Sequence, residues 1–345
     1  MVGWLEMAVG LNNGTIAENI TLFAISIIAV KASFRMTCTS LRINFRYLWP
    51  ACFCLGALFA GPAAARDMPL SQVLIDDSPW RLVADGFTFT EAPAVDKDGR
   101  LYFSDVPSGR VYRISDDGKA EVFAENEGNT SGLIFGPRGL LFGCLYKAKQ
   151  VVAYGPDGAY EVLADLRSAN DLVVSQKGHI YVTDPKSNAV WLVKYEPPDK
   201  PQMVAQGFRP NGIILWQDEA TLVVTDGESP VLRTFRVESD GSLRFGDANY
   251  SPLQTTFGAT DAQSDGMTVD DAGRLYVATG VGVQMFDPTG RPGGSIGKPQ
   301  AAFLSNLVFG GNDFRTLYAT SADKVFARRV KPSGTPSIVC RTADK

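Results

Sequence analysis

The sequence predicts an all-β fold, a six-bladed β-propeller around a central channel, and three observations carry the prediction. One short apolar strand recurs six times, most copies follow a turn signal, and no helical apolar pattern of about ten residues occurs after residue 65. The strand reads LYFSD at Leu101, LFGCL at Leu141, IYVTD at Ile180, LVVTD at Leu222, LYVAT at Leu275 and LYATS at Leu317, at intervals of 40, 39, 42, 53 and 42 residues. A repeat of about 42 residues containing several strands is the signature of a propeller blade.

Each copy alternates large apolar with small or polar side chains, the period of a half-buried strand. Turns precede most copies, at Asp98-Gly99, Arg138-Gly139, Lys177-Gly178 and Ala272-Gly273, and further apolar runs with second turns follow, as in Val151 to Gly158 and Val281 to Gly290. The 53-residue interval holds an insertion, Glu238 to Gln263, without a strong strand pattern, and such a loop belongs at the channel mouth. Trp80 to Phe89 and Ser337 to Arg341 both read as strands, so one of them closes the ring.

Composition narrows the function classes. Of 345 residues, 45% are hydrophobic and 20% charged, which excludes a disordered or fibrous chain. A net charge of −4 leaves no basic footprint for nucleic acid. With His179 as the single histidine, a zinc site of clustered histidines is impossible and a Ser-His-Asp triad would rest wholly on it. His179 sits where Arg100 and Arg274 fall in other repeats, the place of an exposed hairpin side chain.

The first 65 residues read as a leader rather than as part of the propeller. Tyr47 to Ala65 is uncharged, follows Arg42 and Arg46, and ends in Ala63-Ala64-Ala65 before Arg66, the pattern of a secretory signal peptide. An uncleaved anchor is the alternative, opposed by Pro50, Gly56, Gly61 and Pro62. Met36 is a candidate start for this leader. The expected mature chain, 66–345, is one propeller domain, periplasmic or secreted and not membrane-bound, with 29 Lys and Arg against 35 Asp and Glu. It keeps only Cys144 and Cys340, too few for a disulfide framework, and both are expected as buried thiols.

A polar residue recurs ten to twelve positions before each marked strand: Glu91, Ser131, Asn170, Asn211, Asp265 and Ser305. Equivalent repeat positions fall at equivalent heights, so these side chains form a ring at the opening of the innermost strands. Two carboxylates and two carboxamides facing one axis make an all-oxygen cage suited to a hard divalent cation, Ca²⁺ before Mg²⁺. Taken singly, Asn211-Gly212 would be a hairpin turn, Asn170-Asp171 a turn or cap, and Glu91 or Asp265 solvated surface; their common phase is what argues for the ring.

Other motifs fail. Pro292 to Pro299 lacks the first glycine of a phosphate loop and reads as a turn, Gly280-Val281-Gly282 lacks the third glycine of a dinucleotide fingerprint, and G-x-S-x-G is absent.

Glu91-Ala92-Pro93-Ala94-Val95-Asp96, Asn170-Asp171-Leu172 with Tyr181 to Pro185, Pro210-Asn211-Gly212-Ile213, Ser264 to Asp270, and Leu304 to Thr320 together resemble the gluconolactonase family, which includes senescence marker protein and luciferin-regenerating enzyme. The resemblance spans roughly Trp80 to Val330. It implies a six-bladed propeller with one catalytic divalent cation, Ca²⁺ ahead of Zn²⁺, Mg²⁺ or Mn²⁺, held by Glu91, Asn170, Asn211 and Asp265. It also implies a small-molecule lactone substrate, with Asp265 as base or nucleophile and Asp171 behind the ligands. Three positions depart from the family pattern: Ser131-Gly132 where bacterial members commonly have Asn-Gly, Leu145 where they have an acidic residue, and Ser168 where animal proteins have a substrate-contacting Arg. Ser131, Ser168, Ser305 and Leu145 are therefore expected behind the cage or at the substrate mouth. A phosphotriesterase-like hydrolase with the same cage and a non-catalytic periplasmic binding propeller remain as alternatives.

Overall fold

The computed structural model describes residues 68–195 and 200–335. The leader and the Ser337 to Arg341 tail lie outside them, as does Cys340.

The described residues form six four-stranded antiparallel sheets, one per repeat. The innermost strands are Thr90–Val95, Thr130–Phe135, Leu172–Val174, Pro210–Leu215, Met267–Val269 and Leu304–Gly310. The recurring apolar strand is the second of each blade, from Leu101–Asp105 through Thr316–Ser321. Among the described residues the only helices are short 3-10 turns, such as Leu70–Gln72, and none could cross a membrane.

The sixth sheet answers the question of closure. Its outermost strand is Arg81–Ala84, which pairs antiparallel with Lys324–Arg329, Arg81 opposite Ala327 and Leu82 opposite Phe326. A strand from the start of the domain therefore completes the blade built at its end, and the hydrogen-bond ladder replaces a covalent closure.

The second strands are not half-buried as their alternation suggests. All five residues of Leu101–Asp105 are buried, and so are those of Leu141–Leu145 and Leu275–Thr279. Each blade is sandwiched between two others, so both faces of its inner strands meet apolar neighbours and alternation records large-into-small packing instead of water on one side. Tyr102 of the first blade, for example, meets Phe135 of the second edge-on at 5.0 Å between ring centroids. Only the outermost strands, such as Ala120–Glu125, show exposed residues in number.

Two further expectations change. Pro292–Ile296 is the outermost strand of the fifth blade, not a turn, its two glycines fitting against Met285 and Leu70. The first part of the Glu238 to Gln263 insertion is the fourth blade's outer hairpin, ending in Leu243–Asp247. The irregular part begins after it and is pinned by Gln284, which accepts the Gln254 N–H at 2.8 Å and donates to the Gln254 carbonyl at 2.9 Å. His179 opens a second strand at the hairpin, as its repeat position suggests, but is half-buried against Gly241 instead of exposed.

Aspartates at the hairpins explain the turn signals. Asp96 Oδ1 accepts the N–H groups of Asp98 and Arg100 at 3.0 and 2.9 Å, and Asp270 does the same for Ala272 and Arg274. Gly99 beside Asp98 has φ +77°, and a Cβ there would lie 2.1 Å from the Gly311 carbonyl oxygen of the sixth blade. Gly118 has φ +81° but open space around it. Gly99→Ala should therefore lower stability by about 1–3 kcal/mol more than Gly118→Ala, the difference being overpacking beyond the shared backbone strain. Denaturant midpoints of the two variants check this, and equal losses would show that the blade contact yields freely.

Candidate functional site at the channel mouth

Glu91, Ser131, Asn170, Asn211 and Asp265 all line one cavity of about 450 Å³ at the mouth of the channel. Glu91 and Asp265 are buried, whereas Asn170 and Asn211 are partly exposed. The irregular segment after the fourth blade reaches this mouth through Gln263.

Hydroxyls one strand out hold the ring residues by their backbones. Thr183 Oγ1 donates to the Asn211 carbonyl at 2.7 Å, Thr225 Oγ1 to the Asp265 carbonyl at 3.3 Å, and Ser104 Oγ to the Glu91 carbonyl at 3.3 Å. The first two bonds cross from one blade to the next. They account for the Thr-Asp or Ser-Asp that ends three of the six recurring strands, where the following aspartate caps the loop: Asp105 accepts from Thr88 and Phe89, and Asp184 from Lys186 and Ser187.

The two serines of the ring behave differently from the other members. Ser131 Oγ donates to the Asn170 carbonyl at 2.8 Å, so it touches the mouth but serves as a clip onto the third blade. Ser305 is fully buried and bonds the Thr90 carbonyl at 2.9 Å and Thr320, so it clips the sixth blade onto the first and does not reach the mouth. Its small hydroxyl finds acceptors on the adjoining backbone and has none to seek on the axis. Ser168 is likewise fully buried and away from the mouth, its Oγ without a hydrogen-bond partner. Leu145 is buried among Leu133 and Tyr102.

Asn306, not Ser305, is the axial residue of the sixth blade. The inner strand bulges between Leu304 and Asn306 as others do at Glu91, Ser131 and Asn211, and in this blade the residue after the bulged position carries the polar side chain that faces the carboxylates. The Asn306 carboxamide fills the space beside Gly266, where a Cβ would lie 1.8 Å from Asn306 Oδ1, and its hydrogen bonds to Glu91 and Asp171 lower the pKa of both against the larger effect of burial. Asp171 occupies the matching place in the third blade. Asp171 Oδ1 accepts the Leu172 N–H and Asn306 Oδ1 the Leu307 N–H, each at 2.8 Å. The shared sequence signal is a polar residue followed by Leu, in Asn-Asp-Leu and Ser-Asn-Leu. Both residues border the apolar part of the channel, a space of about 130 Å³ on the side away from the mouth.

Electrostatics set this cluster apart. Burial, opposed by the Ala92 N–H and reinforced by the charge of Asp171, pushes Glu91 from its ordinary 4.5 up to about 8. Burial also raises Asp265 well above the carboxylate range, with the charges of Glu91 and Asp171 and a hydrogen bond to Glu91 adding to it. Asp171 rises to about 7, mainly through burial. Ala92 takes φ 52°, a left-handed conformation uncommon outside glycine, in the bulge that turns Glu91 toward the axis. Glu91 and Asp265 form no ion pair with any described cation, so a shared proton or a bound metal must balance them.

The donor set fits a hard cation. Among the described residues no three His, Cys, Asp or Glu side chains gather as a ligand set, so a cation here depends on carboxamide oxygens. Asn211 Nδ2 donates to the Ser264 carbonyl at 3.3 Å, which turns its Oδ1 toward the site. Asn170 Nδ2 donates to that oxygen at 2.6 Å. Rotating the Asn170 carboxamide by half a turn would present both oxygens, and that orientation is set by the surrounding hydrogen bonds.

Residues 89–323 match the family described as SMP-30/Gluconolactonase/LRE-like region. The chain belongs to this family. Relatives include a gluconolactonase of Zymomonas mobilis, 25% identical over 77% of this chain and 85% of that protein, and the lactonase drp35 of Staphylococcus aureus, 27% identical over 64% and 74%. The solved structure of a gluconolactonase from Xanthomonas campestris superposes with a TM-score of 0.67 at 25% identity, covering 76% of this chain and 92% of that one. As a member of the SMP-30/gluconolactonase family, the chain brings Glu91, Asn170, Asn211 and Asp265 together through four different blades.

The raised carboxyls predict a pH dependence for the chelated protein. A folded-state value above the unfolded one means that the fold holds protons the unfolded chain has released, so the stability is intact below the unfolded value and lost as pH rises through the folded one. The melting temperature in chelator should fall between pH 4.5 and pH 8, the window of Glu91, and Glu91→Gln should flatten that fall. A profile unaffected by Glu91→Gln would show that the carboxyl is hydrated in the fold.

Proposed function

We propose that the protein is a divalent-cation-dependent hydrolase that opens lactones, and the observation that carries this reading is the uncompensated pair Glu91 and Asp265 buried opposite two carboxamides. Its support is the lactonase and gluconolactonase relatives together with the donor chemistry of the mouth. A cation bound by Glu91, Asp265 and the Oδ1 atoms of Asn170 and Asn211, with Ca²⁺ suiting this all-oxygen set best, supplies a Lewis acid for the ester carbonyl.

The chain's own residues supply the rest. Asp265 projects a carboxylate into the mouth with no histidine nearby, so it takes the proton of the attacking water or itself attacks the carbonyl carbon. In the first route the hydroxide oxygen bonds to the carbonyl carbon, the ring C–O bond breaks, and the proton passes to the leaving alkoxide. Glu91 completes the negative charge of the site. Asn306 lies beneath and bonds both Glu91 and Asp171, holding the Glu91 carboxylate in place from the apolar side. We further read residues 1–65 as an export leader, which puts the working enzyme outside the cytoplasm.

Hydrolysis of D-glucono-lactone followed in a pH-stat, with Ca²⁺ and then with chelator, tests the reading once the spontaneous rate is subtracted. The expected rate is chelator-sensitive, and Asp265→Asn should lose on the order of 100-fold or more in kcat while its circular dichroism is unchanged. Near-normal turnover by Asp265→Asn would remove Asp265 from the chemistry. Metal binding without turnover of any lactone would favour the phosphoester or binding-protein readings.

A further inference from the structure

The walls of the mouth are poor in the groups a polyhydroxylated substrate requires. Phe89 and Phe303 stand side by side at one edge, ring centroids 6.1 Å apart and tilted by 30°, and Phe303 is 37% exposed. Tyr146, also 37% exposed, and Pro185 add to the apolar wall. The Lys186 ammonium lies over the Tyr146 ring, 4.9 Å from its centroid. Beyond the cage the polar side chains of the mouth are Arg209, Gln263, Ser131 and Ser264, and both serine hydroxyls bond backbone carbonyls. Leu145 and Ser168 are buried. A sugar lactone would find Gln263 and Arg209 for its hydroxyls, fewer partners than it has groups to pair, and each loss weakens selection for it.

One charged side chain of the mouth lies outside the carboxylate cluster. Arg209 lines the cavity, is exposed, and forms no ion pair among the described residues. Its stem runs along Gly227, where a Cβ would make ordinary contact at 3.7 Å from Arg209 Cδ. The backbone holds this arrangement, the Gly227 N–H donating to the Arg209 carbonyl at 2.8 Å. With a divalent cation balancing Glu91 and Asp265, Arg209 leaves the mouth with a net positive charge, and a guanidinium presents the fork that a carboxylate or phosphate accepts.

We propose that the mouth selects a lactone with an aromatic body and an anionic substituent, the body lying on Phe89, Phe303 and Tyr146 and the anion on Arg209. This rests on the lactonase reading and specifies its substrate class. Arg209 is a specificity-determining residue here and takes no part in bond breaking.

The test compares three probes with the Ca²⁺-loaded protein: dihydrocoumarin, a dihydrocoumarin carrying a ring carboxylate, and D-glucono-1,5-lactone, each with the wild type, Arg209→Gln and Arg209→Lys. The two aromatic lactones should exceed the sugar lactone in kcat/KM, and the carboxylated one should lead. Because a ring carboxylate also changes the leaving phenol, the deciding quantity is the ratio of carboxylated to neutral dihydrocoumarin. That ratio should fall on the order of fivefold in Arg209→Gln through KM, stay nearer wild type in Arg209→Lys, and shrink with added salt in the wild type. A ratio unchanged in Arg209→Gln, or a preference for the sugar lactone, would overturn the proposal and leave the lactonase reading standing. Folded, cation-loaded protein that opens none of the three would overturn both.

Discussion

Two like charges buried face to face are the constraint around which this molecule is arranged. Glu91 and Asp265 come from the first and fifth blades, and neither meets a described cation. Left alone, such a pair takes up a proton or moves apart. The ring prevents the second outcome. Its blades are tied by hydroxyls that bond backbone carbonyls of the next blade, Thr183 to Asn211, Thr225 to Asp265, Ser131 to Asn170 and Ser305 to Thr90. These ties reach backbone atoms of, or next to, the residues whose side chains face the axis, so the scaffold fixes the ligands' starting points and leaves only their side-chain torsions free.

That arrangement separates the work of holding the site from the work of selecting what enters it. Glu91 and Asn211 of the cage lie within innermost strands and Asn170 and Asp265 two residues ahead of theirs, where packing on both faces leaves little room for change. The walls of the mouth come largely from segments between strands, including Phe89, Tyr146, Pro185 and Phe303. Segments of this kind tolerate replacement without disturbing the core. One cage can thus serve differently shaped mouths, which accords with a family whose named members include both a gluconolactonase and the drp35 lactonase.

Much of this was legible in the sequence because a repeat converts position along the chain into height along an axis. The phase of Glu91, Asn170, Asn211 and Asp265 alone put them at one level, and the structure brings all four into one cavity. The same reasoning failed at Ser305, whose hydroxyl bonds the Thr90 carbonyl and Thr320 and stays buried, while the next residue, Asn306, faces the carboxylates. It failed again for Pro292–Ile296, where a glycine-rich segment has too little side chain to show a period yet pairs as an outer strand. Arg209 and the aromatic walls carry no periodic signal at all; their meeting is a consequence of blade closure.

Closure by Arg81–Ala84 also bears on when the protein can fold. The strand that completes the last blade is synthesised before every other described strand of the ring, and its partner, Lys324–Arg329, after them. The Thr90 hydroxyl likewise waits for the Lys324 carbonyl, 234 residues further on. Until both ends are present the ring stays open and its terminal blades lack half their contacts, so the native state is inaccessible to a partly made chain. A polypeptide that remains slack until its final segment arrives is one that a membrane pore can thread as an unfolded strand.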